Sequence, residues 1–80
     1  MTKLLVTFFS SHAAMEAELL MEEAGLPGRL IPLPPQVHAG CGLALLCDPG
    51  HREMVLSLMA RHQLAYEQLY TGQRGRWTPA

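Results

Sequence analysis

The chain has little of what usually staples a very small domain together. Its 80 residues contain two cysteines, too few for a disulfide framework or a four-cysteine zinc site. Charge is also scarce, at 16% of residues, and nearly balanced, with six Lys+Arg against seven Asp+Glu and a net charge of -1. A general nucleic-acid binder needs a basic surplus to neutralise phosphates, and a polybasic membrane-surface module needs one to meet anionic lipid. Both are excluded. Low charge with 49% hydrophobic residues equally excludes a disordered acidic or basic tail. No apolar run approaches the ~20 residues of a membrane span. Met1-Thr2-Lys3 leads only into the short run Leu4 to Phe9, and Ser10, Ser11 and His12 follow with no signal-peptide cleavage pattern. The expectation is a single cytoplasmic domain with reduced thiols.

What is present reads as alternating short strands and helices. Leu4-Leu5-Val6-Thr7-Phe8-Phe9 has the length and residue types of a strand buried on much of both faces. Ser10 or Ser11 is a helix N-cap, and His12 to Ala24 contains no glycine or proline. Ala13, Ala17, Leu20, Met21 and Ala24 share one side, with Glu16, Glu22 and Glu23 mostly on the other. Gly25 stands where a left-handed cap belongs, and Pro27 stops the helix. Arg29 to Leu33 is a second strand, which Pro32 places at an edge or ends. After the prolines 34 and 35 and a loop to Gly40, Leu43 to Cys47 is a third strand. Asp48-Pro49 opens a second helix with Met54, Val55, Leu58, Met59 and His62 on one face. Tyr66 to Tyr70 is a fourth strand, and residues 71–80, with Arg74, Arg76 and Trp77, read as a flexible tail. The order β-α-β-β-α-β predicts an α+β domain over residues 1–70. Its fold class is the ferredoxin-like split β-α-β, a four-stranded antiparallel sheet with both helices on one face. The other face must then be solvated or covered by a partner.

Chemistry-bearing residues are few. No histidine pair has helical spacing and no Cys/His cluster has zinc-site spacing, so no metal or other cofactor is expected. There is no Gly-rich phosphate loop and no paired-carboxylate arrangement. The main candidate is Cys41, in His38-Ala39-Gly40-Cys41-Gly42. Flanking glycines let the backbone bend tightly and aim consecutive N–H groups at one anion, which stabilises a thiolate or a bound chalcogen anion. The competing reading is that Gly40 and Gly42 make a turn and Cys41 is a small buried hydrophobe. His38 is a candidate to assist deprotonation, against a ring that simply faces water. Arg29 is a candidate contact for an anionic sulfur or selenium species, against a solvated charge at a strand end. Cys47, about 20 Å from Cys41 if the chain between them is extended, reads as core and not as a disulfide partner.

These segments together resemble the family of small bacterial and archaeal Se/S carrier-like domains. The likeness runs over roughly residues 4–70. It rests on Thr7-Phe8-Phe9-Ser10-Ser11-His12-Ala13-Ala14, Gly25-Leu26-Pro27, Arg29-Leu30-Ile31-Pro32-Leu33-Pro34 and Cys41-Gly42-Leu43-Ala44-Leu45. The chain departs from the family at Leu46 and Cys47, where members often carry a basic residue and an aromatic. His38 and Ala39 also replace small polar residues. The resemblance implies that Cys41 carries sulfur or selenium. Its partners would be a donor such as a cysteine desulfurase and an acceptor enzyme. The chain would be a carrier and not a turnover enzyme, being too small for a deep pocket. The alternative is a binding or regulatory module that acts through dimerisation or ligand binding, with Cys41 structural.

Overall fold

The computed structural model describes residues 1–73 and 75–80. Strand β1 (Lys3–Thr7) has four consecutive buried residues, Leu4 to Thr7, as a run of apolar residues without alternation requires. Phe8 continues this burial and is fully enclosed. Helix α1 (Ser11–Glu23) follows at once, and the Ala13 N–H donates to the Ser10 hydroxyl oxygen at 3.1 Å. The helix ends as its sequence demands. Gly25 sits at φ 74°, its N–H donates to the Glu22 carbonyl, and the Leu26 N–H donates to that of Met21, the paired bonds of a Schellman cap.

Strands β2 (Gly28–Pro32) and β3 (Leu43–Cys47) pair antiparallel across the loop between them. Asp48 then caps a 3-10 turn at Pro49–His51, through a bond from the Gly50 N–H to its side chain. Helix α2 (Arg52–Arg61) grows from that turn. Strand β4 (Gln68–Gln73) pairs with β1, and β5 (Arg76–Pro79) pairs with β4, so the sheet order is β2-β3-β1-β4-β5, all antiparallel.

The sheet thus has five strands and not the expected four. The difference lies in residues expected to trail as a tail. Thr71 to Gln73 extend β4, and the chain turns back so that Trp77 pairs with Gly72 and Pro79 with Tyr70. The expectation for Arg74 lies outside the described residues. Smaller differences concern helix faces. Ala14, Ala17 and Met21 are the buried residues of α1, while Ala24 is exposed. Val55, Leu58 and Met59 are those of α2, while Met54 and His62 face outward. Pro32 does lie on an edge strand, and a second device completes that edge. The outward Leu30 N–H donates to the Glu18 carboxylate of α1 at 2.9 Å. Two residues on, the same edge presents a proline with no N–H to offer. Two successive outward positions of the edge thereby offer no open donor, which makes it less sticky.

Two apolar layers result. Both helices pack on one face, where Leu4, Val6, Leu45, Cys47 and Leu69 meet the buried residues of α1 and α2. The opposite face is covered by the chain itself. Leu5 and Ala44 pack with Val37 of the β2–β3 loop, and Ile31, Leu33, Leu46, Tyr70 and Trp77 surround them.

The β4–β5 pairing depends on Gly72. Its φ is 155°, and a Cβ there would overlap the backbone carbonyl of Arg76. Gly72→Ala is expected to cost about 1–3 kcal/mol through overpacking and backbone strain. Hydrogen exchange should localise the loss, with faster exchange at Arg76 to Thr78 and unchanged protection in β1.

Candidate functional site

The ten-residue stretch from Leu33 to Gly42 joins the edge strand to its neighbour and carries Cys41 near its end. Four contacts fix its course. The Val37 N–H donates to the Pro34 carbonyl, closing a turn, and the Val37 side chain is buried in the second apolar layer. The Leu33 N–H donates to the Gly42 carbonyl at 3.0 Å, which draws the loop ends together above the last β2–β3 rung. Gly40 lies against the Phe9 backbone, so close that a Cβ would stand 2.9 Å from the Phe9 carbonyl oxygen. Backbone cannot move aside as a side chain can, so this position requires glycine. Gly42 is different: a Cβ there would meet nothing.

The donors of the Gly-Cys-Gly segment are partly committed already. The Gly40 N–H donates to the Glu67 carboxylate at 3.0 Å. Glu67 itself is held by a bond from its own N–H to the Thr7 carbonyl at 2.7 Å. The carboxylate joins the loop to the start of β4, and it takes the donor that the sequence assigned to a sulfur anion. Cys41 is half-buried. Its sulfur lies 3.3 Å from the Leu43 carbonyl, to which the thiol donates, and its side chain touches the helix-side core. His38 is exposed on the same loop.

Arg29 is not brought to Cys41. It is opposite Leu46 in the β2–β3 register, three rungs from Leu43, or about 10 Å along the strand at ~3.3 Å per residue. It also shares the face of Leu46, whereas Cys41 packs toward the helices. Sequence reasoning missed Glu67, which lies 27 residues from Gly40; no local signal marks a carboxylate that reaches across the fold.

The two thiols are both free and differ in environment. Cys47 is only 4% exposed. Burial, and secondarily the adjacent Asp48 carboxylate, push its thiol up from 9.0 to about 11. A protonated, enclosed thiol is neither a nucleophile nor a ligand at neutral pH. Cys41 is thus the less enclosed of the two cysteines. Among the described residues no group of three or more His, Cys, Asp or Glu side chains is placed to hold a metal ion. Nor is any helix there long and apolar enough to cross a membrane.

A family model described as "Putative Se/S carrier protein-like" matches residues 3–71. The chain belongs to this family. No curated protein and no solved structure gives a significant match.

The contrast between the thiols predicts their labelling. At pH 7 a maleimide should modify Cys41 in the folded protein and reach Cys47 only after unfolding; equal rates at both would contradict the burial described. The raised Cys47 value also carries a sign for stability. The unfolded thiol ionises near 9.0 and the folded one near 11, so its contribution is complete below pH 9 and is lost progressively between pH 9 and 11. Denaturant titrations of Cys47→Ala should lack that increment of alkaline destabilisation when compared with the natural chain.

Proposed function

We propose that the chain is a carrier that holds one sulfur or selenium atom on Cys41 and passes it to an acceptor enzyme. The observation that carries this reading is the division of labour between the thiols: one is sealed and protonated, the other lies on an exposed loop of a chain that belongs to the Se/S carrier-like family. The strand order β2-β3-β1-β4, with both helices on one face, supports a split β-α-β arrangement of the ferredoxin-like kind with one strand appended. Two free cysteines suit a reducing compartment such as the cytoplasm.

The transfer is thiol exchange. The Cys41 thiol gives up its proton to solvent and leaves the Leu43 carbonyl. Its thiolate attacks the outer sulfur of a donor persulfide, such as that of a cysteine desulfurase. A sulfur–sulfur bond forms at Cys41 while the bond within the donor breaks, and the donor thiolate departs with the electron pair. Delivery runs the same exchange in reverse with an acceptor thiol, and selenium follows the same course. With the Gly40 N–H occupied by Glu67, the loop groups left to meet the anion are Gly42 and His38, both exposed. Neither they nor Cys41 form an acid/base set, which fits a carrier and not a turnover enzyme.

A second reading has its own observation. The Cys41 thiol is hydrogen-bonded to Leu43 and packed on the core, as a structural cysteine in a binding or regulatory module would be. Mass spectrometry separates the two. After incubation with a cysteine desulfurase and cysteine, the carrier reading expects an increment of one sulfur on Cys41, retained in Cys47→Ala and absent from Cys41→Ala. No increment on the natural chain, or the same increment on Cys41→Ala, would leave only the structural reading.

A further inference from the structure

We propose that the sheet face opposite the helices holds a binding site for a small organic anion with a planar ring, formed around Lys3, Arg29 and Trp77. The site is a cavity of about 590 Å³. It lies apart from the Cys41 loop tip and does not depend on the carrier reading.

Its construction follows from the sheet register. Leu46 of β3 pairs with Leu5 of β1 on one side and Arg29 of β2 on the other. Paired residues point to the same face, and Lys3 is two residues from Leu5, so Lys3 and Arg29 rise on the same side of the sheet and flank Leu46. Leu46 and Ile31 form the floor. One wall is the Pro34–Gln36 turn and the other is the β4–β5 hairpin with Trp77. The walls are joined directly, because the Gln36 side-chain amide donates to the Gly75 carbonyl at 3.3 Å.

The lining chemistry selects the ligand. Beside the Met1 ammonium, which donates to the Gln73 side-chain oxygen, the described lining residues include two cationic side chains, Lys3 and Arg29, and no carboxylate; the exposed Asp48 lines an adjoining hollow with both. Both cations are exposed and can close on a ligand without first breaking a buried pair. A guanidinium accepts a carboxylate or phosphate in a two-pronged geometry, and an ammonium adds a point charge. Trp77 offers an aromatic surface at the same cavity, half-buried and steadied by the second apolar layer, where a planar ring can stack. An extended polyanion is disfavoured by so small a positive cluster on a chain of net charge -1. The fitting class is one ring bearing one carboxylate or phosphate. Exposed charges and a single stacking partner imply a Kd of order 0.1–1 mM.

Trp77 is the sole tryptophan, so its fluorescence reports the cavity directly. The probes are AMP and nicotinate, which join a ring to a phosphate or a carboxylate, with adenosine and inorganic phosphate as the ring and the anion alone. Saturable quenching by AMP or nicotinate is expected, the better of the two identifying the headgroup. Adenosine and phosphate should be markedly weaker, and the Lys3→Gln/Arg29→Gln double variant should lose at least about tenfold in affinity. Both substitutions are at exposed positions, and circular dichroism checks that the fold persists. The proposal is overturned if neither probe quenches saturably by ~10 mM, a ceiling well above that Kd range. It is equally overturned if adenosine or phosphate matches the joined probe, or if the folded double variant binds as tightly as the natural chain.

Discussion

A strand apolar on both faces cannot rest in a two-layer domain without a second cover, and β1 is such a strand. Leu4 and Val6 turn toward the helices and Leu5 turns away, yet all three are fully buried. Burying a leucine relative to leaving it in water is worth roughly 1.5–3 kcal/mol. In a domain of this size that is a large part of the net stability. The helices satisfy one side. Leu5 on the other side requires apolar groups from elsewhere, and they come from the β2–β3 loop through Val37 and from the C-terminal hairpin through Trp77. The same two segments supply both sites of interest. The loop that brings Val37 inward goes on to present Cys41, and the hairpin that brings Trp77 inward encloses the cavity beside Lys3 and Arg29.

Position along the strands then separates the two sites. Gly28, Arg29 and Cys47 stand at one end of the β2–β3 ladder, and Pro32 and Leu43 at the other. Cys41 lies beyond the Leu43 end, on the side of the helix cluster, whereas Arg29 lies near the Cys47 end on the opposite face. A charge that looks in the sequence like a natural companion for the thiol therefore belongs to another surface. The loop instead receives a carboxylate, and Glu67 fixes the Gly40 amide without adding a cation near the sulfur.

Much of the fold was legible in the sequence because its signals are local. The unalternating run at Leu4 marks a central strand, Ser10 caps the first helix, Gly25 ends it, and Asp48-Pro49 opens the second. The third strand agrees to the residue. What escaped reading depends on pairing at a distance. Residues 76–79 carry too short a pattern to declare a strand, and Gly72 and Gly75 look like breakers. In the fold Gly72 is the residue that lets β5 approach, and Gly75 turns the hairpin at φ 79°. The second helix closes with Gln63 in a left-handed conformation, φ 55°, a position where the sequence shows no glycine to announce it. Of the candidate site, Cys41 and its loop were visible from the Gly-Cys-Gly spacing. The Gly40 contact with Phe9 and the bond to Glu67 were not, since both join residues far apart in the chain.

The two glycines beside Cys41 also answer to different physics, and the difference bears on what the motif is for. Gly40 is a packing requirement, since a side chain there would collide with the Phe9 backbone, and any domain that runs this loop over that strand end would need it whether or not a thiol followed. Gly42 meets no such limit, and its carbonyl bond to Leu33 is open to any residue type. A turn alone therefore accounts for one glycine of the pair and leaves the other without a steric reason. On the carrier reading proposed above, an acceptor thiol must approach the sulfur–sulfur bond at Cys41 in line. The exposed Gly42, next in the chain and without a side chain, adds no bulk to that approach.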